Sequence, residues 1–168
     1  MMPRNKNFSG TDLRPVTSFQ TTRRNLPHWQ QPGSIYFITW RLKGEGVLSP
    51  EERTMILQSL LYWDKEKWTV HAAVIMPNHI HVIAQPLVLP VGGAVNLSEI
   101  IRSVKTYSAR IINAQRGVRE TFWQDERYDR IIRDEAELLQ KWQYLRQNPV
   151  ERGLASNPEE YPWLYEKS

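Results

Sequence analysis

Cysteine is absent from the 168 residues, which excludes a disulfide framework, a thiolate metal site and a cysteine nucleophile, and permits a reducing compartment. No apolar run approaches the roughly 20 residues that span a bilayer. The polar opening Met1 to Thr22 lacks the apolar core of a secretory signal. The expectation is a cytoplasmic protein with no membrane contact. Internal repeats and low-complexity runs are missing, so solenoid and disordered classes fall away. A His-Glu-x-x-His helix and a third histidine at ligand spacing are missing too, which weakens a metal hydrolase that activates water. Acidic residues are scarce in two places. Residues 1 to 24 hold Arg4, Lys6, Arg14, Arg23 and Arg24 against Asp12 alone, and Arg102 to Arg119 carries five cations and no acid. The net charge of +4 resides in the first 24 residues, and the remainder sums to zero. Two basic tracts favour a polyanionic partner, although either can be a solvated surface.

The length suits one domain that buries roughly two thirds of the surface its unfolded chain exposes. We divide it into a basic arm, residues 1 to 24, and a single domain, residues 25 to 168. Ser34 to Leu42, β-branched and aromatic after Pro32-Gly33, reads as a strand. Ser49-Pro50-Glu51-Glu52 reads as a helix start ahead of Met55, Ile56, Leu60 and Leu61. Trp68 to Met76 and His79 to Gln85 form a hairpin about Pro77-Asn78, and Pro86 to Ala94 a loop. A helix with the apolar face Leu97, Ile100, Ile101, Val104, Tyr107, Ser108 and Ile111 is capped by Asn96 and ended by Gly117. Thr121 to Trp123 suggests a short strand. The last helix opens at Asp134-Glu135, places Leu138, Leu139, Trp142 and Leu145 on one side, and stops at Pro149. This order predicts an α+β domain, a ferredoxin-like antiparallel sheet with helices packed on it.

The chemically pointed segment is His79-Ile80-His81, after Met76-Pro77-Asn78. Alternation along a strand aims both imidazoles to one face while Ile80 and Val82 face the other. Two imidazoles so placed can chelate one ion; a lone strand histidine such as His71 is more commonly a hydrogen-bonded structural residue. In the last helix Tyr144 and Asn148 are four residues apart, hence stacked one turn above the other and off the apolar stripe. A phenol nucleophile and an amide oxygen ligand can share a metal's neighbourhood there. Tyr107 sits on the apolar face of its helix, Tyr128 in a charged turn, and Tyr161 with Tyr165 in a Pro-containing tail; each reads as structural. Seven Trp and seven Tyr offer stacking platforms for single-stranded nucleic acid, though most such rings go to cores.

Together these residues resemble a known family. Met76-Pro77-Asn78-His79-Ile80-His81 is similar to the His-hydrophobic-His motif of HUH endonucleases, and Tyr144-Leu145-Arg146-Gln147-Asn148-Pro149-Val150 resembles the tyrosine helix of single-tyrosine HUH transposases. Leu26-Pro27-His28-Trp29, Ile35 to Leu42, Tyr128-Asp129, Arg133-Asp134-Glu135 and Gly153-Leu154 extend the likeness toward the REP-associated tyrosine transposases, over residues from about Arg24 to Trp163. The tail Tyr161-Pro162-Trp163-Leu164-Tyr165 departs from the pattern. The resemblance implies the HUH endonuclease fold, His79, His81 and Asn148 as ligands of Mg²⁺ or Mn²⁺, and Tyr144 as nucleophile. It implies cleavage of single-stranded DNA at REP-like hairpins through a 5′-phosphotyrosine, with a monomer favoured over a homodimer. Arg23, Arg24, Arg102, Lys105 and Arg110 are the candidate DNA contacts. A catalytically silent single-stranded nucleic-acid-binding module is the alternative.

Overall fold

A computed structural model describes residues 15 to 23 and 27 to 167. Arg24 and residues 1 to 14 of the expected basic arm lie outside the described residues, as does the side chain of Arg23. The elements are β1 (Gln20–Arg23), β2 (Pro27–Gln30), β3 (Tyr36–Arg41), α1 (Pro50–Leu61), β4 (Trp68–Ile75), β5 (His79–Pro86), α2 (Leu97–Arg116), β6 (Tyr128–Ile131), α3 (Glu135–Glu151) and β7 (Leu164–Glu166). The main sheet is antiparallel in the order β6-β3-β5-β4-β7, and β1 with β2 forms a separate hairpin. Its first four strands, with α1 and α2 between them, reproduce the ferredoxin-like βαββαβ arrangement. The fold class is therefore the expected one. No helix among the described residues is long and apolar enough to cross a membrane.

Both faces of the sheet are apolar, so both need cover. Tyr36, Ile38 and Trp40 of β3, with Ile80, Val82 and Ala84 of β5, pack beneath α1 and α2. Phe37, Val74 and Ile83 face the other way, into a second core closed by Leu145 and flanked by Leu138 and Trp142, all of α3. A register shift between Val70 and Ala72 resets the alternation of β4, which is why Val70 and Ala73 share one face.

Helix boundaries follow from caps. Ser49 and Glu52 make a full capping box with Pro50 in the first turn, and Asn96 accepts from Glu99 N–H. Gly117 ends α2 at φ 68°, the left-handed region where glycine costs least.

Four expectations need correction. Trp123 makes an isolated bridge with Leu42, and the strand is instead Tyr128–Ile131, so Tyr128 lies on a sheet edge and not in a turn. Leu139 is exposed, because one stripe of the helix comprises Leu138, Trp142, Leu145 and Pro149 and Leu139 lies a step around the wheel. On α2 the core position is Ile112, with Ile111 and Tyr107 only half-buried. Pro149 does not stop α3. It forfeits one hydrogen bond near the helix end, and the last turn closes by Gly153 N–H to Val150 C=O at 2.9 Å and Leu154 N–H to Pro149 C=O at 2.8 Å.

A candidate metal and nucleophile centre

β3 and β5 pair with Thr39 opposite His81 and Arg41 opposite His79. Side chains of directly opposed residues share a face, and Thr39 Oγ1 lies 2.7 Å from His81 Nδ1. His79 Nδ1 lies 2.6 Å from Asn78 Oδ1 in the hairpin turn. That turn is fixed by backbone bonds from Leu48 N–H to Pro77 C=O and from Leu42 N–H to Asn78 C=O. The two rings stand nearly perpendicular at 4.8 Å, and His81 stacks on Phe37 at 5.4 Å. Both imidazoles are on the α3 side of the sheet and buried, at 1% and 4% exposure. Ile80 and Val82 are in the opposite core.

α3 crosses this face. Leu145 is the anchor, fully buried, and the residues either side of it on the helix carry the chemistry. Asn148, 3% exposed, sets its amide nitrogen 3.3 Å from His81 Nε2. The Tyr144 ring meets His81 edge-on at 5.3 Å and Phe37 at 5.9 Å, yet Tyr144 stays 45% exposed. A phenol that packs against a buried imidazole while open to solvent can meet a substrate. Tyr161 cannot, since its hydroxyl is buried and donates to Ile75 C=O at 2.7 Å.

Burial is the main reason that the His79 imidazole is pushed down to about 4, with the positive charges of Arg152 and Arg41 adding to it. His81 is pushed down to about 3, again chiefly by burial, then by His79, Arg41, Arg152 and Lys141. Both rings are therefore neutral at pH 7 and each keeps a lone pair. Asn148 Nδ2 can only donate, so His81 Nε2 accepts and its Nδ1–H donates to Thr39; Asn78 holds His79 in the same tautomer. With both Nδ1–H groups committed, the lone pairs are on the Nε2 atoms, and that of His81 accepts from Asn148 Nδ2. This donor set suits a divalent cation: two neutral imidazoles whose outer nitrogens are hydrogen-bonded, with an amide beside them. Among the described residues no three His, Cys, Asp or Glu side chains cluster, so a carboxylate does not complete the set.

The expected DNA contacts are elsewhere. Arg102 and Arg110 are exposed on α2, across the sheet from the imidazoles, with Arg110 5.9 Å from the Tyr107 ring. Lys105 Nζ donates to the carbonyls of Gln124 and Asp125. The cations that act on the imidazoles are Arg41, Lys141 and Arg152, and sequence reasoning passed over them together with Thr39. Helical spacing held a usable signal, since Lys141, Tyr144, Asn148 and Arg152 recur at intervals of three and four.

Residues 38 to 148, from mid-β3 to Asn148, match the family model described as "Transposase IS200 like". The chain belongs to the IS200-like transposase family. An uncharacterized protein of Haemophilus influenzae is 33% identical over 145 residues, 69% of this transposase-family chain and 80% of the relative. A solved structure of a REP-associated tyrosine transposase bound to a REP hairpin superposes with a TM-score of 0.69 at 19% identity, covering 84% of this chain and 82% of the other. At that identity the likeness concerns the fold.

Proposed function

We propose that this member of the family is a single-stranded DNA endonuclease and strand transferase whose nucleophile is Tyr144. The observation that carries the reading is the convergence of an exposed phenol with two buried, neutral imidazoles and the Asn148 amide. Tyr144 Oη attacks phosphorus, the tyrosyl O–P bond forms and the P–O3′ bond breaks. The 3′-oxygen leaves as a hydroxyl, and the 5′ side stays on the protein as a phosphotyrosine. Reversal by a 3′-hydroxyl of another end rejoins DNA without a nucleotide cofactor, because the phosphotyrosine conserves the phosphodiester bond energy.

A free phenol titrates at about 10 and is a weak nucleophile at neutral pH. Bound at His79, His81 and Asn148, Mg²⁺ or Mn²⁺ would supply Lewis-acid stabilisation of charge at the scissile phosphate, and two nitrogen ligands favour Mn²⁺. The chain itself supplies geometry. Thr39 and Asn78 hold the imidazole tautomers, Phe37 supports His81, and α3 sets Tyr144 against that ring. Arg41, Lys141 and Arg152 make the mouth cationic, which attracts a phosphate backbone.

Hairpins of the REP type are the proposed substrate, supported by the bound hairpin of the structural relative. Arg102 and Arg110, across the sheet from the imidazoles, are proposed as phosphate contacts, together with Arg23 and Arg24. A monomer in the cytoplasm, associated with the nucleoid, completes the reading. The test is incubation of the protein with single-stranded hairpin DNA, with and without Mn²⁺, followed by a denaturing gel. A protein–DNA adduct that needs both the ion and Tyr144 is expected. Cleavage that persists in Tyr144→Phe would assign the attack to another group, and hairpin binding without cleavage would favour a silent binding module.

A further inference from the structure

Tyr128 stands on the same face of the sheet as the imidazoles. β3 pairs Thr39 with His81 on one side and with Tyr128 on the other, and directly opposed residues share a face. Tyr128, Thr39 and His81 therefore form one row across β6, β3 and β5, and the backbones at its two ends lie two strand spacings, about 10 Å, apart. The next row is Arg41 with His79. α3 packs chiefly over β4 and β5 and leaves this corner open. Thr39 is half-buried, Arg41 is exposed, and Tyr128 is 49% exposed. The other rings of the face are engaged, since Phe37 stacks with His81 and Tyr144 meets both edge-on. Among the described residues no ring packs on Tyr128.

An open ring in that position has a chemical use. Arg130, next along the same face of β6, donates to the Tyr128 hydroxyl and pairs with Glu137 of α3 at 2.6 Å, so the phenol is held at its tip. Arg41 has no carboxylate partner among the described residues, and its charge acts on both imidazoles. An aromatic platform beside an unpaired cation suits a single strand, with base on ring and phosphate on guanidinium. A duplex cannot use the ring, because its bases already stack on each other. The plain alternative is that a tyrosine suits a strand and that a single exposed ring needs no explanation. That role asks only for bulk and is met by leucine; stacking asks for a π face.

We propose that Tyr128 is a base-stacking platform: it holds the base of a nucleotide beside the scissile phosphate while Arg41 takes an adjoining phosphate, so that single-stranded DNA runs over Thr39 from Tyr128 to Tyr144. This rests on the reading of the imidazole and Tyr144 centre as the place where DNA is cut. Stacking tolerates any base, so the platform positions the strand and does not read its sequence.

The test uses the full chain in a Tyr144→Phe background and a hairpin oligonucleotide with single-stranded flanks, carrying 5-iododeoxyuridine at one flank position at a time. Near-ultraviolet light couples this base to an aromatic ring stacked on it, and mass spectrometry identifies the residue. Coupling to Tyr128 is expected from one flank position. Tyr128→Ala and Tyr128→Leu, checked by thermal melting, are expected to weaken binding of the flanked hairpin by about tenfold, and Tyr128→Phe and Tyr128→Trp to bind as the parent does. Parent-like binding by Tyr128→Leu, or no flank position that couples to Tyr128, would overturn the platform. A denaturing gel of the Tyr144 chain with Mn²⁺ separates the two levels of argument. If it shows no protein–DNA adduct while the stacking results hold, the endonuclease reading fails and Tyr128 remains a strand-binding residue; if the adduct forms and Tyr128→Leu binds as the parent does, the platform alone fails.

Discussion

Thr39→Val is a sharp test of how the centre is held, because valine keeps the shape and β-branching of threonine in a central strand and removes only the hydroxyl. In the native site that hydroxyl oxygen accepts the Nδ1–H of His81 at 2.7 Å. His81 is 4% exposed and stacked on Phe37, so no bulk water replaces the lost partner. Two costs follow. A buried donor left unpaired destabilises the fold by about 1–3 kcal/mol, which for a domain of this size lowers Tm by roughly 2–10 °C. The ring also loses the contact that keeps the proton on Nδ1. Any population with the proton on Nε2 carries its lone pair on Nδ1, turned toward the strand and not toward the ion, and losses of this kind weaken metal affinity by about 10–100-fold. Calorimetric Mn²⁺ titration measures the second cost, and ¹⁵N spectra of the imidazole read the tautomer directly. Mn²⁺ affinity within twofold of wild type, with His81 still protonated on Nδ1, would show that the hydroxyl is irrelevant to the lone pair.

Three further outcomes are expected. The imidazoles of His79 and His81 stay neutral in the fold down to about 4 and about 3, whereas in the unfolded chain they protonate near 6.5. The unfolded state therefore binds more protons between these values. Stability is flat above pH 6.5 and falls as pH drops toward 4, by several kcal/mol in order of magnitude; denaturant midpoints measured against pH check this, and His79→Ala with His81→Ala should flatten the profile. Glu52→Gln weakens the fork to Arg116, now at 2.6 and 2.7 Å, that ties the start of α1 to the end of α2; with Arg116 partly exposed, a loss of about 1–2 kcal/mol is expected in a thermal melt. Gly93→Ala sets a Cβ 2.5 Å from the Val16 carbonyl oxygen at a φ of +81°, breaking the Val16–Ala94 bridge at a cost of about 1–3 kcal/mol by the same measurement.

Much of this architecture is legible in the sequence where local chemistry decides it. Alternation sorts His79 and His81 from Ile80 and Val82, and the structure separates them in that way. Ser49 with Glu52, Asn96 and Gly117 mark helix ends by side-chain capping, which depends on neighbours only. What escapes is set by tertiary pairing. Tyr128-Asp129-Arg130-Ile131 has the composition of a turn and becomes a strand because β3 offers a free edge. Pro149 looks like a stop, yet the Gly153 cap carries the helix two residues past it. The cations were the hardest to read. Arg41 reaches the site only through the β3–β5 register, and Arg152 only through the contact its guanidinium makes with Asn148.

Mass spectrometry of the covalent adduct decides whether Tyr144 is the nucleophile. After cleavage of a single-stranded hairpin in Mn²⁺, exhaustive nuclease digestion leaves a nucleotide stub on the protein. Trypsin releases Trp142-Gln143-Tyr144-Leu145-Arg146, in which Tyr144 is the sole tyrosine. This peptide is expected to carry the mass of a 5′-phosphorylated nucleotide, which fragmentation locates on Tyr144. A stub on Tyr107, Tyr128, Tyr161 or Tyr165, or cut DNA with no stub on any peptide, would contradict it.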